Sequence, residues 1–234
     1  MTKYKHLMFD LDRTLWDMRT NHRIAFEELY TEFGFKSIFK CSFEEFYDAY
    51  QKINRSLWQE YQKQNISKEF LDVHRFSLTF DYFSIPAEKR CKIDDLRIFA
   101  QEAMIKQTHL IPFAMETLIW LQQKRYKMSI ISNGFVEAQY IKLKRSGLYE
   151  FFDWIFLSEE IGVPKPQKEF FFHALKTSQC KAEECVVIGD DYIADIQGAR
   201  QAGIDQIYFH ENEKEHHRKA TYHIRSLKEL QSIL

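Results

Sequence analysis

The chain has no Cys-x-x-Cys pair, no excess of charge of one sign, no apolar run of membrane-spanning length and no internal repeat. Each absence excludes something. Four cysteines (Cys41, Cys91, Cys180, Cys185), of which only the last two are near each other, give no zinc or redox-dithiol spacing. They predict free thiols in a reducing compartment. A formal net charge of −1 provides no global field for a nucleic acid polymer or an anionic membrane. The first residues lack a signal-peptide apolar stretch, so the sequence predicts a cytoplasmic protein with no membrane association.

What is present is a large apolar content. The 234 residues are 45% hydrophobic, with 21 Phe and 12 Tyr, enough for a sizeable core in one large domain or a core with an insertion. Leu7, Met8 and Phe9 run straight into Asp10, with Asp12 and Thr14 at alternate positions beyond. A short apolar run without alternation suits a strand buried on both faces of a parallel sheet. Open α/β sheets place their ligand crevice at such strand ends.

From about residue 17 to 108 the pattern is helical. Thr20 or Asn21 is a candidate cap for a first helix ending at Gly34. Ser42 with Glu45 reads as a capping box for a second, Ser67 as the cap of a third, and Pro86 as the opening of a fourth. Beyond Pro112, helices alternate with short apolar runs at 127–131, 154–157, 186–188 and 206–209, and a terminal helix follows Ser226. This alternation predicts a doubly wound parallel sheet, an α/β fold. The domain expectation is a core of residues 1–16 and 109–234 with a helical bundle, 17–108, inserted after the first strand.

Four segments carry chemistry. Asp10 is placed as a carboxylate nucleophile toward phosphorus, and Asp12 as the acid that protonates a leaving oxygen and then activates water. Two acids after a strand also make an ordinary turn or cap. Ser132-Asn133-Gly134 after a strand suits a phosphoryl oxygen, and equally a common turn. Lys165, between Pro164 and Pro166, offers one aimed positive charge to offset repulsion between nucleophile and phosphate. Asp190 and Asp191 with Asp195 four residues on form an acidic turn that suits Mg²⁺, or an acid-rich helix start. The pair His216-His217, near Glu211, Glu213 and Glu215, reads as a solvated loop.

Taken in order, Asp-x-Asp-x-Thr, Ser-Asn-Gly, Lys-Pro and Gly-Asp-Asp-x-x-x-Asp resemble the four motifs of the haloacid dehalogenase-like hydrolase superfamily, across essentially the whole chain. The resemblance implies a Rossmann-like core with an α-helical cap. It implies Asp10 as nucleophile and Asp12 as acid/base, with the Asp12 carbonyl also lent to Mg²⁺. Ser132 and Asn133 would bind the phosphoryl group and Lys165 would steady it. Asp190 would be the main acidic metal ligand, and Asp195 a further ligand or an orienter of the metal's waters. Asp191 and Arg13 occupy variable positions, and Arg13 is expected to face solvent or the cap.

A closer resemblance is to pyrimidine 5′-nucleotidases acting on non-standard pyrimidine nucleotides. It rests on Tyr50-Gln51-x-x-Asn54, Leu57-Trp58-x-x-Tyr61-Gln62 and Arg75-Phe76 in the insertion, and on Asn133-Gly134-Phe135, Ile155 to Val163 and Lys165-Pro166 in the core. The expected activity is Mg²⁺-dependent phosphomonoester hydrolysis through an aspartyl-phosphate on a small substrate, a nucleoside monophosphate or sugar phosphate. Thr14, Ser132, Asn133, Gly134, Trp58 and Arg75 are the expected substrate contacts, with Asn54, Arg55 and Trp16 as further candidates. Asp10, Asp12, Asp190 and Asp195 are the expected metal residues. The alternatives are a sugar-phosphate phosphatase (such as one for acylneuraminate 9-phosphate), a phosphosugar mutase, a haloacid dehalogenase or a non-catalytic binding module. A dehalogenase needs no acid at Asp12 and no metal cluster, and a retired site would lack a catalytic group. A monomer or homodimer is expected.

Overall fold

The computed structural model of the chain describes residues 3–210 and 218–234. The His216-His217 segment and its neighbouring glutamates lie outside the described residues. The chain divides into two compact units, Met1–Met18 with Thr108–Leu234, and Arg19–Gln107.

The first unit is built on six parallel strands: β1 (His6–Phe9), β2 (Lys127–Ser132), β3 (Trp154–Leu157), β4 (Cys185–Gly189), β5 (Asp205–Phe209) and β6 (Tyr222–Ile224). Their order across the sheet is β3-β2-β1-β4-β5-β6. The chain winds outward from β1 to β3, then restarts at β4 on the other side of β1. The switch point therefore lies between β1 and β4, where open α/β sheets place their ligand crevice. All residues of β1 and β4 are buried, as a sheet covered on both faces requires. The backbone N–H of Asp10 donates to the Ile188 carbonyl at 2.9 Å, carrying the β1–β4 ladder one residue past the strand. That bond pins Asp10 beside the end of β4.

The second unit is helical: α1 (Met18–Glu32), α2 (Phe35–Phe39), α3 (Phe43–Gln62), α4 (Lys68–Tyr82) and α5 (Ile93–Lys106). Its core is largely aromatic, with Phe26, Phe35, Phe39, Phe46, Tyr50, Phe76 and Phe80 buried together. Phe26 and Tyr50 stand 4.3 Å apart, and Phe39 stacks on Phe80 at 5.2 Å. Ser42 and Glu45 form a reciprocal capping box at the start of α3. Ser67 caps α4 by accepting from the Phe70 N–H.

Two local expectations are corrected. The first helix starts at Met18, so Thr20 and Asn21 lie in its opening turn, and Asn21 is buried. Pro86 opens only a single 3₁₀ turn, Ala87–Lys89, and α5 begins afresh at Ile93. The short helix α2 begins after Gly34, whose φ of 61° a glycine adopts without strain.

The remaining helices belong to the sheet unit: α6 (Ala114–Gln123), α7 (Val136–Arg145), α8 (Ser158–Ile161), α9 (Lys168–Ser178), α10 (Gly198–Gln201) and α11 (Leu230–Ile233). A π-helical turn, Tyr192–Gln197, follows the β4 end and runs into α10. On one face of the sheet Met8, Ile131, Phe156 and Val187 pack with Phe170 and Phe171 of α9 and Ala199 of α10.

Candidate active site

Sequence and geometry converge at the carboxyl ends of β1, β2 and β4. Asp10 follows β1 and is 7% exposed. Lys165, from the loop before α9, is fully buried with its ammonium between two carboxylates. Its Nζ lies 2.7 Å from Asp10 Oδ1 and 2.6 Å from Asp195 Oδ1, and donates also to the Ile131 carbonyl at 2.9 Å. Asp195 is wholly buried in the π-helical turn, and its Oδ2 accepts the Asp191 N–H at 3.1 Å. A Cβ at Gly189 would sit 2.3 Å from Asp195 Oδ2, so only glycine lets that carboxylate approach the end of β4.

Asp10, Asp190 and Asp195 each offer a carboxylate oxygen, and these oxygens all lie within 4.8 Å of one another. Burial pushes the Asp10 carboxyl up to about 7, against the opposing pull of Lys165. Burial also raises Asp190 well above its ordinary value, with the Arg13 guanidinium opposing, and raises Asp195, with Lys165 opposing. The cause in each case is desolvation of a charge. Two buried acids and a half-buried third, all with raised pKa values, favour a further positive charge among them. Hard oxygen donors at this spacing fit a small divalent cation.

Asp12 is held from two sides. Lys142 Nζ lies 2.7 Å from its Oδ1 and Gln139 Nε2 lies 2.8 Å from its Oδ2. Both donors stand on α7, three residues apart and so on one face. Lys142 is also seated 4.5 Å from the Trp16 ring centroid. Gln139 Nε2 reaches Ser132 Oγ as well, at 2.6 Å, and the Gly134 N–H donates to the same oxygen at 3.1 Å. With both lone pairs of Ser132 Oγ engaged, its own proton is the part left to donate. A Cβ at Gly134 would fall 2.1 Å from Gln139 Nε2, so this glycine opens the path for the amide.

Other expected residues take more specific places. Asn133 is bound face to face with the Lys165 backbone: Nδ2 donates to the Lys165 carbonyl and Oδ1 accepts the Lys165 N–H, both at 2.9 Å. Thr14 is fully buried, with Oγ1 3.5 Å from Asp190 Oδ1. Arg13, with φ of 71°, turns back to place Nε 2.9 Å from Asp190 Oδ2, although its side chain is 58% exposed. The exposed side chain expected to face solvent or the cap thus also engages Asp190, which supplies the opposite charge. Asp191 caps the π-helical turn, accepting from the Ile193 and Ala194 N–H groups at 2.9 Å. Trp16 is completely buried, with its ring under the Lys142 ammonium.

Trp58 and Arg75 belong to the helical unit. Trp58 stands edge-on to Tyr61 at 5.6 Å, and Arg75 pairs with Asp72. Sequence reasoning missed Gln139 and Lys142. The only available signal was two long polar side chains three apart on α7, a pattern shared by most surface helices.

Comparison with known proteins gives consistent matches. Residues 7–209 match the family Haloacid dehalogenase-like hydrolase. The chain is 30% identical over 234 residues to pyrimidine 5′-nucleotidase PynA of Streptococcus pneumoniae (strain ATCC BAA-255 / R6), covering 99% of this chain and 95% of that protein. It is 30% identical over 237 residues to pyrimidine 5′-nucleotidase YjjG of Escherichia coli (strain K12), covering 99% and 98%. The crystal structure of the HAD-hydrolase YfnB of Bacillus subtilis, bound to magnesium, superposes with a TM-score of 0.87 at 30% identity, covering 100% of this chain and 99% of that one.

Proposed function

The chain belongs to the haloacid dehalogenase-like hydrolases, and from that membership we propose that it is a Mg²⁺-dependent phosphatase acting on pyrimidine nucleoside 5′-monophosphates. The observation that carries this reading is the buried Lys165 ammonium between Asp10 and Asp195, with an Asp190 oxygen within 4.8 Å of theirs. The nucleotide preference is supported by the full-length similarity to two pyrimidine 5′-nucleotidases.

Asp10 Oδ2 attacks phosphorus, since Oδ1 is engaged by Lys165. A bond forms from Asp10 to phosphorus as the ester P–O bond breaks, and Asp12 gives its proton to the departing nucleoside oxygen. Water then attacks the aspartyl-phosphate, Asp12 takes its proton, and phosphate leaves with Asp10 restored. Gln139 and Lys142 keep Asp12 aimed through both transfers. Ser132 donates to a phosphoryl oxygen. Asn133 acts by fixing the Lys165 loop, and Thr14 by holding Asp190, since the polar groups of both are turned toward those partners.

Asp10, Asp190 and the Asp12 carbonyl would hold Mg²⁺. Asp195, both of whose oxygens already accept hydrogen bonds, would orient the site around it. The bound ion supplies charge neutralisation and in-line orientation of the phosphoryl group. The magnesium bound to the similar YfnB supports this choice of ion. The helical unit, Arg19–Gln107, is assigned the cap role expected of residues 17–108, with Trp58 and Arg75 contributing to nucleoside selection.

A phosphate-release screen over nucleoside monophosphates and sugar phosphates tests the proposal. UMP, dUMP and their analogues should lead the profile, EDTA should silence release and added Mg²⁺ should restore it. A profile led by sugar phosphates would move the substrate class. Release indifferent to chelation would remove the metal.

A further inference from the structure

The sequence alone gives no metal spacing among the cysteines, yet the fold assembles one. His6 opens β1 and Cys185 opens β4, and the two are paired in register across adjacent strands. Cys180 is returned to them by the turn after α9, where its N–H donates to the Leu175 carbonyl at 3.1 Å. A ring nitrogen of His6 and the sulfurs of Cys180 and Cys185 all lie within 4.8 Å of one another. Both cysteines are free thiols, Cys185 buried and Cys180 half-buried.

His6 supplies the second, independent observation. It is 2% exposed, and its Nδ1 is a buried polar atom with no hydrogen-bond partner. Its Nε2 lies 3.0 Å from Ser129 Oγ. With Nε2–H donated to the serine, Nδ1 carries a lone pair that no donor among the described residues meets. Burying an acceptor without a donor leaves its lost hydration uncompensated. A metal-bound histidine commonly shows this arrangement, with one ring nitrogen on a hydrogen-bond partner and the other on the ion.

We propose that His6, Cys180 and Cys185 form a zinc-class metal site at the amino edge of the sheet, separate from the Asp10 centre. The two sites are four residues apart on β1, about 13 Å at strand rise. The donor set, one imidazole and two thiols, selects a borderline-soft d¹⁰ cation over Mg²⁺. Tetrahedral zinc with Zn–S near 2.3 Å and Zn–N near 2.0 Å needs the donors to draw together by about 1 Å at most. Binding replaces two thiol protons by the ion and releases them to solvent.

The test uses the full chain, reduced and stripped of metal. Zn²⁺ is titrated against a chromogenic zinc indicator, and Co²⁺ is added separately as a spectroscopic probe. The expected result is one equivalent of zinc retained by both the wild type and Asp190→Asn, and binding weakened at least tenfold in Cys180→Ser. Cobalt should give a near-ultraviolet sulfur-to-metal band that Cys180→Ser loses. Cys180 is half-buried, so this variant should fold, and its Mg²⁺-supported phosphate release should be unchanged. His6→Gln, checked by circular dichroism, should behave alike. Equal zinc affinity in wild type and Cys180→Ser, or no sulfur-to-cobalt band, overturns the site. So does a Cys180–Cys185 disulfide that forms in air at the same rate with and without zinc.

Discussion

Lys165 shows how one residue can serve both stability and chemistry. Its burial lowers its pKa, but Asp10 and Asp195 outweigh this and raise it above the ordinary lysine value. It stays charged, and it keeps two buried acids from facing each other bare. The Lys-Pro pair and the carboxylates were legible because charged residues bracketed by prolines, or following apolar runs, stand out in a sequence. Gln139 and Asn133 were harder to read. An amide's partner depends on the fold, and here one amide bridges Asp12 and Ser132 while the other grips a backbone 32 residues away. Gly134 is needed for that first bridge. Gly134→Ala should displace Gln139, lower kcat/KM by about ten- to a hundredfold, and cost about 1–3 kcal/mol of stability. Steady-state kinetics and urea unfolding would check both, and wild-type kinetics in this variant would count against the bridge.

At the scale of elements, caps and strands were readable where local chemistry dictates them. Ser42 with Glu45 and Ser67 at α4 are local signals, and both hold. The opening of α1 and the 3₁₀ turn after Pro86 escaped because competing start signals crowd a few residues. The three-residue β6 is too short for a period to register. Ser42→Ala should cost about 1 kcal/mol. Hydrogen exchange should speed in the first turn of α3 and stay unchanged in β1 and β4; a change confined to the sheet would refute the cap's local role. The start of the chain is tied to β5 in a comparable way: Tyr4 Oη donates to Asp205 Oδ2 at 2.7 Å, and Lys3 pairs with the same carboxylate. Burial pushes the Asp205 carboxyl up, but the hydrogen bonds from Lys3 and Tyr4 prevail and hold it below its ordinary 3.8. The folded state thus favours the ionised form. The stabilisation is complete above pH 3.8 and is lost as pH falls through the lower folded value. Asp205→Asn should therefore flatten the fall in unfolding free energy below about pH 4, measured by denaturant titration across pH. An unchanged slope would show that Asp205 carries no such linkage.

Over the whole molecule, what could be read was order. Four modest signals in a fixed sequence, three of them at strand ends, identified both the parallel sheet and the edge where they meet. The strand order β3-β2-β1-β4-β5-β6 explains why: the switch between β1 and β4 sets Asp10 beside Asp190 although 180 residues separate them. The His6–Cys180–Cys185 cluster went unseen for the complementary reason. Its members carry no local pattern, and only the pairing of β1 with β4 unites them. The aromatic load of the helical unit was legible as core, while the identity of any substrate-touching residue there was not, because core and ligand aromatics share one spacing.

The central claim is that Asp10 carries the phosphoryl group during turnover. Protein quenched while hydrolysing UMP with Mg²⁺, then reduced with borohydride and digested, should show residue 10 converted to homoserine. The product should disappear with EDTA and in Asp10→Asn, whose turnover should fall by about ten-thousandfold or more with its melting transition intact. Continued phosphate release by Asp10→Asn, or a trapped adduct on any other residue, would contradict the account.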